Sequence, residues 1–142
     1  MKTVKELLGN RELFFVKTGS TIKEVVDYMA GKNIGLVPVL NDESKLVGVF
    51  SERDLVRRVI AKGEDISSLI VDDIMTKELI LGTMDESYEE CLQKMKKARI
   101  RHIIVAENGE LKGVLSIRDL LEVDLNIKAE TIETLHNYIY ST

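Results

Sequence analysis

The heptapeptide Gly48-Val49-Phe50-Ser51-Glu52-Arg53-Asp54 returns later in the chain as Gly113-Val114-Leu115-Ser116-Ile117-Arg118-Asp119, 65 positions further on. In both copies an apolar run ends at a serine, and an arginine and an aspartate follow. A long internal repeat is the sequence signature of a fold built from copies of one structural unit. The chain is therefore predicted to contain two related halves.

The similarity between the halves extends well before the heptapeptide. Residues 21–29 align with residues 87–95, and residues 33–39 align with residues 99–105, each at a shift of 66 positions. The one-residue change of shift falls in the polar turn of the first copy, at residues 41–45. Loops tolerate such insertions best, so the two halves are expected to share one topology.

The length of the chain limits how these halves can fold. The 142 residues allow one compact domain or two small halves that share a core. A unit of about 65 residues buries only roughly 60% of its chain surface and is marginal alone. We therefore expect the halves to pack together, with the first repeat at residues 1–66 and the second repeat, including a C-terminal helix, at residues 67–142.

Charge and cysteine content bear on partners and compartment. The net charge of −4 offers no bulk attraction to nucleic acid or to anionic lipid. No apolar run approaches the roughly 20 residues that span a bilayer, and the start of the chain lacks a signal-peptide core. Cys91 is the sole cysteine, which excludes an internal disulfide and fits a reducing compartment. We expect a cytoplasmic protein without nucleic-acid or membrane partners.

Hydrophobic periodicity predicts the order strand, helix, strand, strand, helix in the first half. Residues 13–16 form an apolar run, and residues 22–29 carry an apolar stripe with helical spacing. Two further apolar runs at 36–40 and 46–50 predict a hairpin, and a helix is expected from Ser51 to about Ala61. The apolar residues of this helix that are expected to face inward are Leu55, Val56, Val59 and Ile60.

The second half repeats this order. It has a short strand at 79–81, a helical stripe at 88–95, and a hairpin of 103–105 with 111–115 around the turn Asn108-Gly109. Together the halves predict an α/β (α+β) fold of tandem βαββα repeats. Each repeat is a small mixed three-stranded sheet with two helices, and a pseudo-twofold axis relates the two.

Three segments lie outside this repeated order. Each half begins with a short apolar-patterned lead-in, at 4–8 and at 71–75, and the chain ends with a helical stripe at Ile132, Leu135 and Ile139. That stripe packs on the protein's own core or forms a dimer contact. We favour the dimer contact, because the repeat has no place for this helix.

No catalytic set is visible in the sequence. His102 and His136 do not lie in a metal-ligand spacing, and Cys91 has no second thiol nearby. Cys91 falls in a helical stripe, and a buried core thiol is favoured over a reactive one. We therefore expect no catalytic residues, no metal site, no required cofactor and no enzymatic activity.

The repeated Ser-x-x-Asp pattern has two interpretations. In the first, the serine caps the helix that follows and the aspartate stabilises its N-terminus. In the second, the free amides and the serine hydroxyl hold a phosphate, the carboxylate accepts ribose hydroxyls, and Arg53 or Arg118 supplies positive charge. The two roles are compatible, and the duplication of the motif favours ligand binding.

With this motif in both halves, the chain resembles the CBS (cystathionine β-synthase) domain pair over about residues 4 to 125. It is similar in detail to stand-alone two-repeat members. The shared segments are Ser-Glu-Arg-Asp at 51–54, Val-x-Asp-Ile-Met-Thr at 71–76, Arg-x-Arg-His at 99–102 and Leu-x-x-Tyr-Ile at 135–139.

The resemblance implies two related clefts between the repeats that take adenosine nucleotides such as AMP, ADP or ATP. In each cleft the motif aspartate would hold the ribose and the motif serine would help to hold phosphate. For the first cleft the implied residues are Ser116, Asp119, Arg118, Arg101 and His102, with a base-binding wall of Val114, Phe14, Ile34 and Gly35. For the second they are Ser51, Asp54 and Arg53, with a wall of Val49, Ile80 and Ile100.

The second cleft departs from the family pattern at its phosphate positions. Gly35 and Leu36 stand where Arg101 and His102 stand in the other half. Phosphate binding there would need Arg53, Arg57 or a partner chain. A solvated surface pair remains the alternative for Arg101 and His102, and a histidine ligand would make binding sensitive to pH near neutrality.

These observations predict a regulatory module that is not an enzyme. It would be a homodimer that binds an adenosine nucleotide as a regulatory ligand and reports cellular energy or redox state to an unidentified protein. The alternative is a structural dimerisation or interaction module with vestigial clefts. A nucleic-acid-associated repressor is disfavoured by the acidic balance of the chain.

Overall fold

The structure is a computed structural model that describes residues 2–140. Its strands are β1 (Val16–Lys17), β2 (Leu36–Leu40), β3 (Leu46–Ser51), β4 (Leu81–Gly82), β5 (His102–Glu107) and β6 (Glu110–Ser116). Its α-helices are α1 (Val4–Leu8), α2 (Ile22–Lys32), α3 (Glu52–Asp54), α4 (Tyr88–Ala98) and α5 (Ile117–Tyr140). A π-helix at Leu55–Ile60 continues α3, and a 3-10 helix spans Val71–Asp73.

The strands form two three-stranded sheets with the same topology. The orders are β1-β2-β3 and β4-β5-β6. In each sheet the first strand runs parallel to the second, and the second runs antiparallel to the third. The predicted α/β fold of two βαββα repeats with a C-terminal helix is confirmed. The boundary between residues 66 and 67 stays a prediction, and residues 1, 141 and 142 lie outside the described residues.

Side-chain caps explain where the paired helices begin and end. Thr21 accepts a hydrogen bond from the Glu24 amide and starts α2 with a reciprocal capping box. Ser87 accepts from the Glu90 amide in the same way at the start of α4. The helices end at residues in the left-handed region, Asn33 for α2 and Arg99 for α4.

The first strand of each repeat is shorter than its sequence pattern predicts. The strands lie at Val16–Lys17 and Leu81–Gly82 rather than at 13–16 and 79–81. Two residues of each strand pair with the neighbouring strand. The apolar residues before them, such as Phe14 and Ile80, line cavities instead of joining a sheet.

The second helix of the first repeat changes its winding after Asp54. Val59 is fully buried and Leu55 partly buried, but Val56 and Ile60 are 59% and 60% exposed. The expectation that all four face inward is therefore wrong for Val56 and Ile60. These two residues lie on a neighbouring face of the helix, which no described element covers.

Each lead-in packs against the other repeat. The Val4 amide donates to the Glu86 carbonyl at 2.9 Å, which fixes α1 beside α4 of the second repeat. The Val71 amide donates to the Ser20 carbonyl at 2.8 Å, which fixes the 3-10 helix beside α2 of the first repeat. The repeats therefore exchange their N-terminal segments, and neither core is complete without the other half.

The motif glycines provide the space for these lead-ins. A Cβ atom at Gly113 would lie 2.7 Å from Cδ2 of Leu8, and a Cβ atom at Gly48 would lie 2.6 Å from Sδ of Met75. Real Cβ atoms do not approach other heavy atoms so closely. Both positions therefore favour glycine, because a Cβ atom there would force a shift of the lead-in side chain that lies directly against the strand.

Apolar side chains form one core in each repeat and a third cluster between the sheets. The third cluster has Leu40, Ile104 and Leu111 at its centre, so it draws on both repeats. The first part of α5 packs on the second repeat through Leu120 and neighbouring apolar residues. Its last part extends beyond the core, since every described side chain from Lys128 to Ile139 is exposed.

The C-terminal stripe does not pack on the protein's own core. Ile132, Leu135 and Ile139 are 67%, 55% and 64% exposed.

Within residues 2–140, no helix is both long enough and apolar enough to cross a membrane.

Candidate functional site

Two cavities lie where the repeats meet. The first cavity has a volume of about 490 Å³ and is walled by the 11–14 and 33–36 segments of the first repeat and by β6 and α5 of the second. The second cavity, of about 530 Å³, is walled by the 76–80 and 99–102 segments and by β3 and α3. Both volumes are in the range of small-molecule sites. Each cavity contains one copy of the Ser-x-x-Asp motif.

In the first cavity the motif is linked to an arginine from the other repeat. Oδ2 of Asp119 accepts hydrogen bonds from the Ser116 amide and from Nη1 of Arg11, both at 2.9 Å. Oγ of Ser116 accepts from the Asp119 amide at 3.1 Å. No described residue donates to Oδ1 of Asp119, so this oxygen remains available to a ligand.

The charge state of Asp119 follows from these contacts. Partial burial raises the pKa of Asp119, but the hydrogen bonds from Arg11 and Ser116 outweigh burial and hold it below its usual value. The carboxylate is therefore ionised at neutral pH. An ionised carboxylate is a strong acceptor for the hydroxyl groups of a sugar.

In the second cavity the motif forms a closed capping box. Oδ2 of Asp54 accepts from the amide and from the hydroxyl of Ser51, at 3.0 and 3.1 Å. Oγ of Ser51 accepts from the Asp54 amide at 3.3 Å. Nε of Arg58 lies 3.6 Å from Oδ1 of Asp54. Both motif copies thus cap a helix and also line a cavity. The capping interpretation is confirmed, and the ligand-binding interpretation stays a prediction.

The structure brings together most of the residues predicted for the first cleft. Those that line the first cavity are Ser116, Asp119, His102, Val114, Phe14, Ile34 and Gly35. Arg101 lines the second cavity instead, and Arg118 lines neither. Arg101 directly precedes β5 and lines the second cavity alone, whereas His102, the first residue of β5, lines both.

All the residues predicted for the second cleft line one cavity. They are Ser51, Asp54, Arg53, Val49, Ile80 and Ile100. Arg57, the other compensating cation suggested by the sequence, lines neither cavity, whereas Arg58 lines the second.

The sequence interpretation missed several lining residues that the repeat itself points to. Glu12 and Leu13 line the first cavity, next to the predicted Phe14, and Glu78 and Leu79 line the second, next to the predicted Ile80. The two segments align at the same shift of 66 positions. Asn33 and Arg99 form another aligned pair, one in each cavity. Extending the alignment over these positions would have found all of them.

His102 is uncharged at neutral pH. Burial lowers its pKa and the neighbouring Arg101 lowers it further, against the opposing effects of Asp119 and Glu52. A neutral imidazole at the junction of both cavities can donate or accept one hydrogen bond at each ring nitrogen.

The thiol of Cys91 lies outside both cavities. Cys91 is fully buried, and burial raises the pKa of its thiol to about 11. The expectation of a buried core thiol is confirmed. Within residues 2–140, no group of three or more His, Cys, Asp or Glu side chains is arranged to hold a metal ion.

A family model described as the CBS domain matches the chain twice, at residues 4–61 and 71–126. The uncharacterized 17.7 kDa protein of the bps2 3′ region of Acidianus ambivalens is 33% identical over 128 residues, which cover 89% of this chain and 76% of that protein. Several other curated relatives are longer, and the chain spans 22% to 65% of their length.

Solved structures have the same fold. The CBS domain NE2398 has a TM-score of 0.79 at 30% identity, with 88% of this chain and 99% of that chain covered. The CBS domain pair of protein MJ0100, in complex with 5′-methylthioadenosine and S-adenosyl-L-methionine, has a TM-score of 0.78 at 21% identity, with 89% and 98% covered.

Proposed function

Since this chain belongs to the CBS domain family and contains two CBS repeats, we propose that it is a regulatory module that binds an adenosine nucleotide. AMP, ADP, ATP or a related adenosyl compound would occupy the cavities between the repeats. The ligand acts as a regulatory signal and not as a cofactor, and the module itself catalyses no reaction. The cytoplasm is the proposed compartment.

One observation carries this proposal: both motif copies line a cavity between the repeats. Each cavity offers an ionisable carboxylate, Asp119 or Asp54, beside an apolar wall that includes Val114 or Val49. The carboxylate suits ribose hydroxyls, and the apolar wall suits a planar base. A CBS domain pair of the same fold, in MJ0100, binds two adenosyl compounds.

The walls of the cavities suggest how a ligand would regulate. Each cavity is lined by residues of both repeats, for example Phe14 and Val114 in the first. A ligand that contacts both repeats favours the arrangement in which those contacts are best, and it shifts the population toward that arrangement. A partner protein that recognises this arrangement would then respond to the cellular ratio of adenosine nucleotides.

We also propose that the module is a homodimer. The exposed apolar pair Val56 and Ile60 corresponds to the exposed pair Leu121 and Leu125, 65 positions later. A twofold dimer uses the same surface patch on both subunits, so each of these exposed apolar pairs is available to face a second copy of the chain.

The end of α5 supports a second copy as the partner. Exposed apolar residues recur with heptad spacing, and the positions are Leu121, Leu125, Ile132, Leu135 and Ile139, with Lys128 as the one interruption. Leu125, Ile132 and Ile139 take heptad position a, and Leu121 and Leu135 take position d. Isoleucine at a with leucine at d favours two-stranded coiled coils.

Calorimetric titration with AMP, ADP, ATP and NADH tests nucleotide binding. An Asp119→Asn variant keeps the side chain's size but loses its charge, and it is expected to weaken binding at the first cavity about tenfold. Asp27→Asn is the control, because Asp27 lies on α2 outside both cavities. Asp54→Asn is the corresponding variant of the second cavity. Nucleotide binding in these cavities is rejected if the wild type binds none of the four compounds. It is also rejected if Asp119→Asn and Asp54→Asn both bind the nucleotides as tightly as the wild type does.

The second candidate is an interaction module with vestigial clefts. The capping contacts of Ser51 and Asp54 favour it, since the motif already has a structural role there. This alternative predicts that no nucleotide raises the melting temperature. A ligand that binds the folded state raises it by mass action, so a thermal shift with millimolar nucleotides separates the two candidates.

A further inference from the structure

The two cavities differ in charge although the repeat relates them. Four arginines and three carboxylates line the second cavity, whereas one arginine and two carboxylates line the first. The arginines of the second cavity are Arg53, Arg58, Arg99 and Arg101. With His102 uncharged, the second cavity has an excess of positive charge and the first an excess of negative charge.

The arginines also differ in whether they are available to a ligand. Nη1 of Arg11, in the first cavity, lies 2.9 Å from Oδ2 of Asp119 and is committed to that carboxylate. In the second cavity, the guanidinium groups of Arg53, Arg99 and Arg101 make no hydrogen bond or ion pair with any other residue in the range 2–140. Three donor groups in this cavity therefore remain available for an anion.

Two pairs of aligned residues produce much of this difference. Asn33 in the first cavity corresponds to Arg99 in the second, and Gly35 corresponds to Arg101. Asn33 and Arg99 both adopt left-handed backbone at a helix C-terminus, with φ of 56° and 57°. The backbone is thus nearly the same at this pair of positions, and the side chain alone changes the charge there.

From this asymmetry we propose that the two cavities take chemically different ligands. The second cavity binds the phosphate chain of a nucleoside di- or triphosphate, and the first binds an adenosine compound without a phosphate chain. This inference rests on the proposed function and refines it. Guanidinium groups bind phosphate through paired charge-assisted hydrogen bonds, which Arg99 and Arg101 can supply. In the first cavity the same phosphates would meet Glu12 and Asp119 without a free arginine.

The assignment differs from the one that the family resemblance implies. That resemblance gives Arg101 to the first cleft and leaves phosphate binding at the second in doubt. Arg101 lines the second cavity, and Arg99 joins it there. The cations that the second cleft needs are therefore supplied by the second repeat itself, without a partner chain.

Calorimetry with three probes tests the inference: ATP, adenosine and inorganic tripolyphosphate. The variants are Arg99→Asn, which installs the residue of the aligned position, and Arg101→Gln. The control is Arg57→Gln, which removes the same charge outside both cavities. Each cavity variant is expected to weaken the binding of ATP and of tripolyphosphate about tenfold. The affinity for adenosine should not change. ATP binding by the wild type is also expected to weaken with ionic strength, and adenosine binding is not.

The outcomes separate this inference from the proposed function. If ATP binds and neither cavity variant weakens it more than Arg57→Gln does, the charge assignment is overturned and nucleotide binding stands. If no adenosine compound binds but tripolyphosphate binds and depends on Arg99 and Arg101, the nucleotide function fails and the anion site stands. If none of the three probes binds the wild type, both fail.

Discussion

The two carboxylate oxygens of Asp119 have different surroundings. Oδ2 accepts from the Ser116 amide and from Arg11, whereas no described residue donates to Oδ1, the oxygen that we propose for a ligand. Arg11 comes from the segment between α1 and β1, and Asp119 lies 108 positions later. Their ion pair therefore joins the two repeats across the first cavity.

Removal of Arg11 should change how stability depends on pH. The folded-state pKa of Asp119 lies below its usual value. The stabilisation is thus present above that usual value and is lost as pH falls through the folded-state pKa. Arg11→Gln should lower the free energy of unfolding by about 0.5–1 kcal/mol at pH 7, because both partners are partly exposed. The loss should become smaller as pH falls below 3.8, the usual pKa of an aspartate. Urea unfolding at pH 7 and at pH 3 measures this, and Arg57→Gln should show no such loss at pH 7.

His102 should also make stability rise with pH, but in a window nearer neutrality. Burial lowers its folded-state pKa, so the unfolded chain binds more protons between that value and 6.5. The free energy of unfolding should therefore rise with pH across this window. His102→Gln should remove that rise and leave stability at pH 8 nearly unchanged. Denaturation midpoints between pH 5 and pH 8 test this, and an identical slope in the two proteins would contradict it.

At the level of single residues, the sequence predicts which cavity the motif residues line better than it predicts this for the residues around them. Ser51, Asp54, Ser116 and Asp119 reach the cavities because a helix N-terminus fixes them after a strand. Arg101 could not be assigned in the same way. Its cavity depends on the direction that its side chain takes in the bend just before β5, and a single sequence does not give that direction.

At the level of elements, the sequence predicts the hairpins and the paired helices but not their ends. The first strands are displaced because residues such as Phe14 contribute to a cavity wall, which the apolar pattern alone does not distinguish from a strand. The π-helix at Leu55–Ile60 also has no sequence signal. Its apolar spacing fits an α-helix equally well, and the exposure of Val56 and Ile60 becomes visible only in the fold.

Alanine substitutions at two glycines test how the lead-ins contact the strands. Gly48→Ala should destabilise the protein by about 1–3 kcal/mol, because the new methyl group would meet Met75 and the Thr76 carbonyl oxygen at 3.1 Å. Gly31→Ala is the matched control. Gly31 lies in α2, and a methyl group added there would have no atom within 4 Å, so alanine should stabilise the helix by about 0.5–1 kcal/mol. Chemical denaturation of both variants gives the two values, and equal effects would contradict the contact.

At the level of the whole molecule, the repeat predicts two halves with a shared core but not the exchange of lead-ins. The alignment shows that segments 4–8 and 71–75 exist in both halves. It cannot show which half each segment covers, because either arrangement preserves the same local pattern. The exchange makes each core depend on the other half, so the two repeats are expected to unfold in a single transition.

The overhanging end of α5 allows dimerisation to be tested without disturbing the fold of the subunit. Ile132 is 67% exposed and lies beyond the part of α5 that packs on the core. Ile132→Glu would place a charge at position a of the proposed two-stranded contact, where it would be buried without a partner. The dissociation constant of the dimer should rise about 30-fold or more, with an unchanged circular dichroism spectrum.

The matched control for this variant is Thr134→Glu, which adds the same side chain to the opposite face of the same helix. Sedimentation equilibrium over a range of concentrations gives the dissociation constant for each protein. A dimer that persists in Ile132→Glu but dissociates in Leu125→Glu would move the contact to the exposed pairs, Val56 with Ile60 and Leu121 with Leu125. Each repeat contributes one of these pairs, so a dimer that used both would hold both repeats of one subunit against the other subunit. Ligand-driven motion between the repeats would then change the dimer itself. A monomeric wild type at all concentrations would reject both contacts.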